Sequence, residues 1–131
     1  KRISGPVFDR IDLFVDVDEI NHGHLLKTEV QKQTSASVMD EVDKARKIQI
    51  KRSGKLNSRL SGNELKSHNR LTQEAEEFFN QAAKRLGLSA RGYMRTLRVA
   101  NTIADLDRKA SIGTEEIGEA LQYRKKPAEL L

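Results

Sequence analysis

Hydrophobic and polar positions change their spacing several times along the chain, and each change marks an element. Ile11, Leu13, Val15 and Val17 alternate with Asp12, Phe14 and Asp16. That is the period of two of a half-buried strand, so a short β-strand is expected over 11–17. A Gly5-Pro6 turn leads into it and presents Arg10 at its lip, so the first ten residues read as the cut end of something larger. Such a strand has lost the sheet that would cover it and is expected to fray. From Asp18 to Thr34 no period is sustained, and the segment reads as a connector. Val38, Val42, Ala45 and Ile48-Gln49 then form a helical stripe. It predicts a helix from Ser35 or Ser37, either able to cap it, to about Arg52, ended by Ser53-Gly54.

Ser61-Gly62-Asn63-Glu64 has the form of a capping box and predicts a short helix that carries Leu65 inward. Thr72 is expected to cap the next helix. Its Ala75, Phe78, Phe79, Ala82, Ala83 and Leu86 share one face, and Gly87 ends it. Both phenylalanines are expected in the core, and Glu76-Glu77 are helix N-terminal charges rather than an acid/base pair. Ser89 opens a fourth helix to about Asp107, apolar on several sides as a central helix is. Thr114 is expected to cap a last helix with Ile117, Ala120 and Leu121 facing inward. The expected fold is all-α, a bundle of four to five helices preceded by a short remnant β-strand, with no internal repeat.

Composition narrows the classes. A chain of 131 residues makes one domain with a real core. The absence of cysteine excludes disulfides, zinc-thiolate sites and thiol catalysis. With no Trp and 5% aromatic residues, a base-stacking surface is disfavoured. No apolar run approaches the ~18 residues of a membrane span and no signal-peptide pattern is present, so no membrane partner and a cytoplasmic setting are expected. The net charge of +5 permits phosphate contact without establishing it. His22 and His24 lack a third ligand, and no metal site is expected.

SGPVFDRIDLFVDV, KARKIQIKRSGKLNSRLSGNEL, AAKRLGLSARGYMRTLRVANTIADL and EALQYR follow one another in this order. In these segments the chain resembles the C-terminal part of magnesium-chelatase-like AAA+ ATPases, most closely the bacterial YifB/ComM type. The resemblance implies a remnant of the ATPase core over 1–20, a connector over 21–34, a helical lid over 35–124 and a tail over 125–131. No GxxxxGK[ST] match is present, so the chain by itself is not expected to hydrolyse ATP or to hold a cofactor. The resemblance implies a parent that is an ATPase using ATP and Mg2+, assembled as a homo-hexameric ring, with work on DNA. In that frame the lid senses nucleotide state and couples hydrolysis in the ring to remodelling.

The same resemblance gives arginines their roles. Arg10 would be the arginine finger, acting in trans on the γ-phosphate held by a neighbour. A fixed guanidinium there stabilises the charge of the transferring phosphoryl group. Arg91 would be the second sensor arginine, reading the γ-phosphate of its own subunit, with Arg98 in a supporting role two turns on. From the residues alone, Arg10 also fits a surface ion pair with Asp9 or Asp12, worth under ~1 kcal/mol, and Arg91 an ordinary exposed arginine.

Lys44, Arg46, Lys47, Lys51, Arg52, Lys55 and Arg59 run without an intervening acid. They form a candidate nucleic-acid-binding face following a phosphate backbone, and equally fit a solvated helix end. The alternative function is therefore a stand-alone basic helical module that binds nucleic acid without ATP coupling. Metal insertion into a tetrapyrrole, a third possibility, finds no support in these residues.

Overall fold

The computed structural model describes residues 5–17 and 33–124. The expected tail, His22 and His24, and most of the expected connector lie outside the described residues. Those described form helices α1 (Gly5–Phe8), α2 (Ser35–Ser53), α3 (Gly62–Ser67), α4 (Gln73–Leu86), α5 (Ala90–Leu106) and α6 (Thr114–Gln122), with a 3-10 turn over Asn57–Arg59. The all-α expectation holds, and none of the described helices is long and apolar enough to cross a membrane.

Local chemistry sets the helix limits. Thr34, not Ser35 or Ser37, caps α2. Its hydroxyl accepts from the Ser37 N–H, and the Ser37 hydroxyl returns a bond to the Thr34 end. Gly54, at φ 70°, stops α2 in the left-handed conformation that costs glycine least. The Ser61–Glu64 capping box forms as expected. Thr72 caps α4 and Ser89 caps α5, each accepting from the N–H three residues on. The last helix departs from expectation: Gly113 is its cap and Thr114 its first residue, and the Gly113 N–H donates to the Glu116 carboxylate at 2.7 Å.

Helix α5 is the hub, packing against α2, α3, the 3-10 turn and α6, while α4 covers the other side of α6. The core gathers Ala75 and Phe79 of α4, Leu97, Ala100, Ile103 and Ala104 of α5, and Ile117 of α6. Phe79 stacks on Tyr93 with ring centres 4.0 Å apart. Ile112 exchanges backbone bonds with Arg70 and Thr72, tying the entrance of α6 to that of α4.

Three further sequence expectations need correction. Residues 11–17 form no strand: strand pairing needs a neighbour, and no sheet exists among the described residues for them to join. The segment instead runs irregularly along the helices, its Phe14 N–H donating to Tyr123 O at 2.8 Å and its Phe14 ring packing 5.5 Å from that of Phe8. Phe78 is 40% exposed while Phe79 is fully buried, because Phe79 is the one that meets α5, stacked on Tyr93. Val38 and Val42 are exposed as well, and of the expected α2 stripe only Ala45 and Gln49 are buried, with Ile48 half-buried.

Candidate functional site

Arg10 lies in the turn that follows α1. Backbone bonds from Arg10 N to Val7 O and from Ile11 N to Phe8 O close that turn, and buried Phe8 anchors it. The acids on either side of Arg10 are engaged by other residues. Asp9 accepts from the Ser89 hydroxyl at 2.9 Å and lies 3.6 Å from the Arg124 guanidinium. Asp12 pairs with Arg95. Arg10 itself is exposed and makes no side-chain hydrogen bond or ion pair among the described residues.

Ser89 brings this turn to the start of α5. Its hydroxyl accepts from the Gly92 N–H while donating to Asp9. A carboxylate is thus held at a helix N-terminus, where the dipole favours it. Gly92 lies against this contact: a Cβ there would stand in ordinary van der Waals contact with the Ser89 hydroxyl, Arg124 and Asp9 at 3.4, 3.6 and 3.9 Å. Arg91, in the first turn of α5, is exposed and, like Arg10, has no side-chain partner among the described residues. The dipole disfavours a cation there, and no acid among the described residues pairs with it. The two candidate arginines therefore flank one contact, Asp9 against Ser89, with both guanidiniums open to solvent.

Arg98 has a different environment. It is half-buried and donates to the Leu60 carbonyl at 2.9 Å, bracing the segment after the 3-10 turn. It also borders an apolar-walled cavity of about 320 Å³ formed with Leu13, Val99, Ile103, Leu106 and Tyr123.

The basic run divides in two. Arg52 points inward, its guanidinium bonding both carboxylate oxygens of Asp105 at 2.6 and 2.9 Å and the Asn57 side chain at 2.9 Å. Lys44 pairs with Asp40 and Glu41, and Lys55 with Glu64 at 2.5 Å. Arg46, Lys47, Lys51 and Arg59 are exposed without such partners. The first three border one open depression with Ile50 and Leu56.

The sequence reading passed over the Asp105 cluster. The Asp105 carboxylate is fully buried between Arg52 and Arg70 and also accepts from Asn57. Arg70 holds Asn101 and the Lys109 carbonyl in addition. Asn101 and Asp105, one turn apart on the buried side of α5, were the available signal, since a polar pair on a core face requires partners. Arg95 and Arg124 were missed because their partners, Asp12 and Asp9, lie more than eighty residues away in sequence. Among the described residues no group of His, Cys, Asp and Glu could hold a metal.

Residues 32–124 match the family described as magnesium chelatase, subunit ChlI C-terminal. The chain is 41% identical over 123 residues to competence protein ComM of Haemophilus influenzae, covering 94% of this chain and 24% of that relative. It is 39% identical over the same length to the uncharacterized protein YifB of Escherichia coli, with the same coverage. It is 32% identical over 128 residues to the uncharacterized protein Rv2897c of Mycobacterium tuberculosis, covering 95% of this chain and 25% of that one. The chain thus spans about a quarter of the length of these relatives. It belongs to the magnesium chelatase ChlI C-terminal family, as the C-terminal region of a protein of the YifB/ComM type.

Proposed function

We propose that this domain is the nucleotide-sensing lid of a ring-forming, magnesium-chelatase-like ATPase. Arg91 reads the γ-phosphate bound by its own subunit, and Arg10 reaches the γ-phosphate bound by the next. Loss of that phosphate releases the lid, and its rotation passes round the ring to remodel a substrate, which we take to be DNA. ATP and Mg2+ belong to the ATPase core of the parent and not to these residues.

The observation that carries this reading is the state of the two arginines. Each is exposed and without a side-chain partner among the described residues, although Asp9 and Asp12 stand beside Arg10 in sequence. The fold directs those acids to Ser89, Arg124 and Arg95 and leaves Arg10 open to a ligand from outside. The simple ion-pair reading of Arg10 accordingly loses its partners. For DNA the supporting feature is smaller: Arg46, Lys47, Lys51 and Arg59 are the members of the basic run free to meet a phosphate backbone.

Steady-state ATP hydrolysis by the parent ring tests the reading. Arg10→Ala is expected to lower the rate by about 10³-fold or more. Arg91→Ala is expected to lower it roughly tenfold or more, the worth of one charge-assisted hydrogen bond. Wild-type rates in both variants, with the ring intact, would refute it.

A further inference from the structure

The Arg10 turn is held from both sides by cations of the helical bundle. On one side Asp12 is bound by Arg95, one helical turn beyond Arg91 on α5. On the other, Arg124, just past the end of α6, donates to the Ile11 carbonyl at 2.5 Å, lies 3.6 Å from Asp9 and sits 6.0 Å from the centre of the Phe14 ring. The Arg124 side chain is 5% exposed and that of Arg95 22%, while their partners Asp9 and Asp12 are 31% and 50% exposed, so the arginines are held by the bundle and the acids stay half open to solvent. The two acids that flank Arg10 are thus tied to the place where the start of α5 meets the residues after α6.

We propose that Arg95 and Arg124 are positioning residues for Arg10: through Asp12 and Asp9 they fix its turn to the lid, so that lid rotation moves the arginine offered to the neighbouring subunit. The inference rests on the reading of Arg10 as a group acting in trans. It adds the route by which one subunit's nucleotide state reaches the next site. Arg91 and Arg95 share α5, so a lid drawn towards its own γ-phosphate by Arg91 carries the Arg10 turn with it. Gly92, between them, lies against Asp9 and Arg124.

The test is ATP hydrolysis by parent rings carrying Asp12→Asn, Arg95→Met or Arg10→Ala, alone and mixed with subunits whose P-loop lysine is replaced. Asp12→Asn alters a side chain that is 50% exposed, so it probes the clamp without opening the core. We expect Asp12→Asn and Arg95→Met each to lower kcat by about tenfold with KM for ATP within twofold, the split that loss of a transition-state contact produces. Mixing either with P-loop-dead subunits should raise activity above the sum of the two separate preparations. The dead subunits then supply a correctly held Arg10 to live sites. A merely structural defect stays in its own subunit and is not rescued in this way.

Wild-type rates for Asp12→Asn and Arg95→Met beside a crippled Arg10→Ala would overturn the clamp and leave the reading of Arg10 standing. Slow variants that mixing fails to rescue would also overturn it. An Arg10→Ala ring that hydrolyses ATP normally would instead remove the reading beneath it. The charge-reversed pair Asp12→Arg with Arg95→Asp is expected to recover kcat to within threefold of wild type, and failure to exceed either single reversal would count against the clamp.

Discussion

Asp105 shows most clearly what one side chain does in this domain. Its carboxylate is fully buried and is met by Arg52 from α2 and Arg70 from the segment before α4, with Asn57 adding a bond at 2.8 Å. Burial holds the Arg70 guanidinium below its ordinary pKa, the nearby Arg52 charge acts the same way, and Asp105 opposes both. Removing the carboxylate leaves two partly buried cations facing each other. Asp105→Ala is therefore expected to cost about 3–5 kcal/mol in urea unfolding, the penalty for stranding a buried charge. Arg59→Ala, at an exposed site without a partner, should stay within about 0.5 kcal/mol. A second residue-scale test uses pH. Lys55, then the Ser61 backbone N–H and hydroxyl, lower the Glu64 pKa from 4.5 to about 2. The folded value is depressed, so this contribution is complete above pH 4.5 and is lost as pH falls towards 2. Thermal unfolding should separate wild type from Glu64→Gln at pH 7, and the two should converge near pH 2. A constant gap would contradict the assignment.

At the scale of elements, the helices were legible because their signals are local. A threonine or serine followed three residues on by a free N–H, or a glycine after the last turn, acts within a few bonds, and the caps at Ser61, Thr72 and Ser89 fall where the sequence put them. The strand over 11–17 failed because alternation does not by itself supply a pairing neighbour. Here the segment is tied to α5 and to the end of α6 through Arg95, Tyr123 and Arg124, while Leu13, Val15 and Val17 of the alternating set stay exposed. The end of α5 carried no glycine to announce it. Arg108 adopts φ 58° there, and the Lys109 N–H bonds back to Ala104 O at 2.8 Å. A left-handed non-glycine residue stores about 1–2 kcal/mol, against which Arg108 gains an exposed contact with Glu41. Arg108→Gly is expected to raise stability by up to about 1 kcal/mol in the same unfolding assay. A loss of that size would show that the Glu41 pair outweighs the strain.

For the whole molecule, the fold sorts its many arginines by partner. Arg52 and Arg70 close the interior around Asp105, Arg98 braces the Leu60 carbonyl, and Arg95 and Arg124 hold the N-terminal turn. Arg10 and Arg91 remain solvent-facing on either side of the Asp9–Ser89 contact. Composition could not make this division, since a run of basic residues reads alike whether a member turns inward, as Arg52 does, or is exposed, as Lys47 is. The family resemblance picked out Arg10 and Arg91. The long-range ion pairs that leave them free became visible only in three dimensions.

The most direct test of the account is the parent's discrimination between a non-hydrolysable ATP analogue and ADP, measured as the ratio of their Kd values for wild type and Arg91→Ala. A guanidinium that reads the γ-phosphate contributes only to the analogue. The substitution should then cut the ratio by about 10-fold or more, the worth of a hydrogen bond between charged groups, with the ADP Kd unchanged. An unchanged ratio would contradict the proposed reading of the lid as a nucleotide sensor.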